Sequence, residues 1–191
     1  MRLLNFVSLT LIGLSSAALS QEDKGTPSFV DLSLNGIHFC DSTSAVAVLG
    51  ERVHMVMESK DRGDHPQHEE GEAGFANAKN TELLRIFGSS KYSFFRFIVT
   101  SIGKIPRTST LLSGVSSFIS GKRIHLGMSS KEVLGILGKG YTKTTEGSAT
   151  VFAYVLDDNA EVVNICGYPE YSGKYKFVND KLTEFSFGFS W

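Results

Sequence analysis

"GKRIHLGMSSKEVLGILGKGY", Gly121 to Tyr141, decides the reading of this chain, because an earlier stretch, "NGIHFCDSTSAVAVLGERV" from Asn35 to Val53, follows the same plan. With Ile37-His38 placed on Ile124-His125, Ser42 meets Ser129 and Val46 meets Val133. Both stretches close on Leu-Gly, at Leu49-Gly50 and Leu137-Gly138, the second carrying one extra residue. In the second copy Ser129 and Glu132 have the spacing of a capping box, which satisfies backbone N–H groups that the first helical turn leaves orphaned. Met128 and Val133 stand where a hydrophobic staple fixes the start of a helix. Val133, Ile136 and Leu137 form one apolar face, and Gly138 is placed to end the helix. The first copy is a weaker edition. Ser42 serves as cap, with Asp41 beside it to suit the positive end of the helix dipole. Ala45 stands where the box needs a glutamate, so this helix is expected to be shorter and more dependent on packing.

Each copy is followed by β-branched and aromatic runs separated by Gly, Pro, Asn and Asp. After the first they are Arg52–Ser59, Ala73–Ala78, Thr81–Phe87 and Lys91–Ser101, the last two joined by a Gly-Ser-Ser hairpin; after the second, Thr150–Leu156, Glu161–Cys166, Gly173–Val178 and Lys181–Trp191. Asn179-Asp180 reads as a two-residue hairpin turn. Phe185, Phe187, Phe189 and Trp191 alternate with small residues as in a half-buried strand. Leu182 is out of phase with that face, and a bulge near Thr183 reconciles the two. Between the halves, Thr108–Ser120 carries Leu111, Leu112, Val115, Phe118 and Ile119 at helical spacing and reads as a connecting helix. The chain is therefore expected to be α+β: two tandem repeats, 21–106 and 107–191, each a short helical segment packed on a roughly four-stranded antiparallel sheet.

Residues 1–20 have the form of a cleaved secretory signal: Arg2, an apolar run from Leu3 to Leu14, then small residues up to Ser20. The run is shorter and more interrupted than the roughly 20 apolar residues a membrane helix needs. The product is expected to be exported, to a periplasm or beyond the cell. Past the signal, eighteen basic side chains face twenty acidic ones. That balance offers no positive field for gripping nucleic acid. Only Cys40 and Cys166 are present. In an oxidising compartment they form a disulfide or remain as two buried thiols.

The run Ile124, Leu126, Gly127, Met128, Ser129, Glu132, Val133, Gly138, together with the closing "YKFVNDKLTEFSFGF", resembles the repeat of the secreted β-lactamase inhibitor protein and of the small BamE-like lipoproteins of outer-membrane assembly. The resemblance implies two halves that each pack helices on a four-stranded sheet, and a non-enzymatic role in binding another protein. Ser42 in the first copy and Gly127, Met128, Ser129 and Glu132 in the second build the start of the helices and touch no partner.

Reactive constellations are sparse. "ESKDRGDHPQHEEGE", Glu58 to Glu72, holds His65 and His68 among carboxylates, but its spacing matches no helical zinc motif, and Pro66 and Gly71 oppose the helix that would align both imidazoles. It reads as a solvated acidic loop rather than a metal site. No nucleophile elbow, C-x-x-C or phosphate-cradling glycine loop occurs. His38 and His125 recur at one spot in both copies and read as structural. Tyr168, Tyr171 and Tyr175, near the "GYPEYSG" turn, and Trp191 are candidates for exposed partner contacts, since such side chains give area at little entropic cost. The expected function is a secreted or periplasmic protein-binding module without catalysis, metal or cofactor. The alternative is a small-ligand or envelope-surface binder with a cleft between the repeats.

Overall fold

The computed structural model describes residues 26–50, 56–58, 70–90, 93–103, 106, 109–156 and 170–190. In chain order the elements are β1 (Ser33–Leu34), β2 (Ile37–His38), α1 (Ser42–Leu49), β3 (Val56–Glu58), β4 (Glu70–Asn77), β5 (Glu82–Ser90), β6 (Ser93–Ser101), β7 (Thr110–Leu112), α2 (Ser130–Leu137), β8 (Thr142–Glu146), β9 (Ala149–Leu156), β10 (Glu170–Val178) and β11 (Lys181–Ser190). Strand dominates. β1 and β2 form a small hairpin, and the other nine strands form one sheet in the order β3-β4-β5-β6-β11-β10-β9-β8, with β7 parallel to β4.

This corrects the expected architecture of two α+β repeats with four-stranded sheets of their own. The strands after each helix do run as antiparallel meanders, but β6 pairs with β11 over Thr100 to Arg96, so the two sets merge into one sheet. Left apart, they would expose two more rows of unpaired backbone groups. Hydrophobic alternation marks the face a strand buries and is silent about which strand lies beside it.

The seam is closed by aromatic packing. Phe97 and Phe187 are cross-strand partners, and Phe39, just before α1, stacks on Phe97 with ring centroids 4.6 Å apart. Its edge meets Phe187 at 5.8 Å and Phe189 at 5.4 Å. All four rings are buried. β11 approaches β6 so closely at Gly188 (φ +144) that an added Cβ would run into the Phe95 carbonyl and lie 2.6 Å from the Arg96 Cα. Only glycine fits. Cys40 follows Phe39 and is disulfide-bonded; the other cysteine of the chain, Cys166, lies outside the described residues.

Several local signals match their structures. Asn179 and Asp180 both have positive φ between β10 and β11. The register of these strands shifts between Lys176↔Glu184 and Phe177↔Leu182, leaving Thr183 as the extra residue of the expected bulge. Asn35-Gly36, at φ +48 and +82, turns the β1–β2 hairpin. The helix predicted over Thr108–Ser120 is absent among the described residues of that stretch, which hold β7 and turns. Side chains from elsewhere take its backbone groups: Asn77 Nδ2 donates to Ser116 O (2.9 Å), Phe118 N donates to Glu82 Oε2 (2.7 Å) and Ile119 N to Asn35 Oδ1 (2.8 Å). Such side-chain competition outweighs the weak helix propensity of a Ser- and Gly-rich segment.

The N-terminal strap lies against the second half. Phe29 stacks on Tyr154 at 5.0 Å. The Tyr171 hydroxyl accepts from Asp31 N (2.8 Å) and donates to Asp31 O (3.1 Å), while Asp31 Oδ2 accepts from Lys122 N (2.9 Å). Two substitutions test these contacts by urea unfolding. Phe39→Ala is expected to cost about 3–5 kcal/mol through the cavity it opens. Tyr171→Phe, which leaves buried backbone groups of Asp31 unpaired, is expected to cost about 1–3 kcal/mol.

Candidate functional site

The start of α2 is built as its spacing predicts. Ser129 Oγ accepts from Glu132 N (3.3 Å), and Glu132 Oε2 accepts from Ser129 N (2.8 Å) and from its hydroxyl (2.7 Å), a full capping box. Gly127, at φ +86, turns the chain so that its N–H reaches Leu182 O and the Met128 carbonyl accepts from Leu182 N, both at 2.8 Å. Met128 is partly buried against the core, to which buried Val133 belongs. The start of α1 differs from expectation. Asp41 is the cap, its Oδ1 accepting from Thr43 N (2.9 Å) and Ser44 N (3.3 Å), and Ser42 is the first helical residue. A carboxylate oxygen competes well for these donors. α1 is also no shorter than α2, each having 8 residues.

Tyr171 and Tyr175 are 0% and 1% exposed and so are core residues, which corrects their assignment to a contact patch. In β10 they share the buried face with Gly173 and Phe177, while Ser172, Lys174 and Lys176 point the other way. Burial raises both hydroxyls well above the ordinary tyrosine range. Tyr154, which donates to Gly138 O at 2.8 Å, is pushed up to about 12, chiefly by burial. Tyr168, Trp191, His65 and His68 lie outside the described residues. Among the described residues no three His, Cys, Asp or Glu side chains gather as a metal site.

Two surfaces are formed by residues the sequence reading did not single out. The first is the sheet face turned away from the helices. Cross-strand partners run in one row from β5 to β8: Arg85, Ile98, Ser186, Lys174, Ala153, Thr142. All are half-buried or exposed. The next row places Glu72, Phe87, Arg96, Gly188, Ser172 and Val155 side by side, with Val155 55% exposed. Small side chains thus occupy the middle of the face, and charges flank it. Arg85 reaches Glu72 at 3.7 Å on one side, and Glu146 holds Lys174 (2.8 Å) and Lys176 (3.3 Å) on the other.

The second surface is an open cleft of about 340 Å³ at the other side of β8 and β9, walled by Ser130, Lys143, Thr150, Phe152, Phe177 and Asp180. Lys143 Nζ lies 5.8 Å from the centre of the Phe152 ring, a cation–π distance. Asp180 Oδ1 accepts from the Ser130 hydroxyl (2.5 Å) and N–H (3.1 Å), tying the β10–β11 turn to α2. The signal for this contact was in the sequence as an aspartate in a turn, but its partner lies fifty residues away.

No protein family, curated protein or solved structure matches the chain.

Glu132 in α2 and Asp180 in the β10–β11 turn give a pH test. The Ser129 N–H and then its hydroxyl hold Glu132 below its ordinary 4.5, and the Ser130 hydroxyl and then its N–H hold Asp180 below its ordinary 3.8. Folding lowers both values, so their stabilisation is complete above the ordinary values and is lost as pH falls through the depressed ones. Glu132→Gln with Asp180→Asn is expected to be less stable than the wild type at neutral pH and to lose less stability on acidification. Unfolding midpoints measured from pH 7 to pH 3 check this; parallel curves would contradict it.

Proposed function

We propose that the chain is an exported, non-enzymatic protein-binding module whose partner sits on the sheet face turned away from the helices. The observation that carries this reading is the uninterrupted row from Arg85 to Thr142, partly or fully exposed across six strands. A broad surface with small residues at its centre and both signs of charge at its flanks suits a protein better than a small molecule, which favours an enclosing apolar pocket. The cleft walled by Lys143 and Asp180 is open and lies within the second half, so it lends no support to a ligand site between the halves. The apolar N-terminal run and the bonded Cys40 favour an oxidising compartment, periplasmic or extracellular.

The test is capture from the native envelope and medium, with variant baits compared. Ser186→Arg fills the centre of the face, Lys174→Glu reverses a flank, and Lys131→Glu on exposed α2 is the control. The reading expects one protein held by the wild type and the control and reduced at least about tenfold by the two face variants. Equal recovery by all four baits, or recovery of lipid or saccharide alone, would overturn it.

A further inference from the structure

The two ends of the large sheet are finished differently. At one end β4 is covered along Glu70–Glu72 by β3 and along Phe75–Asn77 by β7. At the other, β8 pairs with β9 in unbroken register from Thr142 to Glu146, and all five of its residues are exposed. Among the described residues nothing pairs with its outer side. Three of the five are threonines, whose β-branched side chains favour extended backbone. Such an edge is a template for a further strand.

We propose that β8 is a docking edge, at which an extended, acidic segment of a partner protein adds to the sheet beside Thr142–Glu146. Charge selects the acidic segment. Lys139 and Lys143 are exposed beside the edge, and Lys174 and Lys176 together outweigh Glu146, which both hold; Asp180, hydrogen-bonded to Ser130, keeps its negative charge, so four lysines face two carboxylates. A second copy of this chain is the poorer occupant. Antiparallel self-pairing centred on Thr144 would set the two Lys143 side chains diagonally on one face, where like charges repel. An added strand also meets a ready selector. On the helix side its alternate side chains lie beside Lys143, at the mouth of the cleft of about 340 Å³. Backbone pairing then supplies affinity and the cleft supplies selectivity, as in other strand-addition sites. The inference is independent of whether a partner occupies the open face.

The probe is a blocked peptide of three Glu-Val repeats, compared with one of three Lys-Val repeats. Added to the full chain at low salt, the acidic peptide is expected to slow amide exchange at residues 142–146 at least about tenfold at saturation. Lys143→Glu, an exposed change whose folding is checked by its unfolding midpoint, is expected to weaken binding at least about tenfold, and 0.5 M salt to weaken it further. Ser186→Arg should leave peptide binding unchanged, which separates this site from the open face. Equal affinity for the two peptides, or binding without protection of 142–146, would overturn the proposal. So would protection of 142–146 that rises with protein concentration in the absence of peptide, which would assign the edge to a second copy.

Discussion

The pairing of β6 with β11 is the constraint on which this structure depends. Backbone groups in the interior need partners, and the edges of two separate meanders would not supply them. Joining the edges satisfies both and produces a sheet broad enough to need a continuous cover on one side. Phe39 supplies the centre of that cover, resting on Phe97, Phe187 and Phe189, residues from both sides of the seam. The close approach at Gly188 and the bulged backbone of β6 between its pairings with Phe87 and Gly88 are local consequences of bringing these strands together.

A belt of buried or half-buried polar side chains holds the cover in place. Asp31, Asn35, Asn77 and Glu82 each bind backbone groups of the 116–122 segment. Asn77 is 0% exposed, and besides Ser116 O its amide bonds Thr81 Oγ1, while its carbonyl oxygen accepts from Thr81 N and Glu82 N. Each bond is modest in net terms, but leaving any such buried group unpaired is costly. The belt therefore acts as a specification of geometry: one path of the connector satisfies all of these groups together.

With the helices and the connector on one side, the opposite face of the sheet has an alternating set of side chains and no described element lying on it. Its middle strands carry Ser172, Ser186 and Gly188 there, which keeps the surface low between the charged flanks. The edge at β8 has a different character, with exposed backbone and surplus cations. The two surfaces share strands β8 to β10 but present different chemistry, side chains on the face and main-chain groups on the edge.

Local pattern determined a good deal by itself. The capping box at Ser129 and Glu132, the Asn179-Asp180 turn, the bulge at Thr183 and the buried alternation of Phe185, Phe187 and Phe189 all follow from interactions within a few residues, so their signals survive in a linear reading. The Asn35-Gly36 turn of the β1–β2 hairpin rests on an equally local signal, though it was not among the turns expected from the sequence. What tertiary structure alone decided are the relations between distant segments: that β6 lies beside β11, that the described residues of 108–120 give their backbone to foreign side chains instead of a helix, and that Tyr171 and Tyr175 point inward. The physical reason is common to all three. Each outcome is set by which partner satisfies a buried ring, donor or acceptor, and that partner comes from far along the chain.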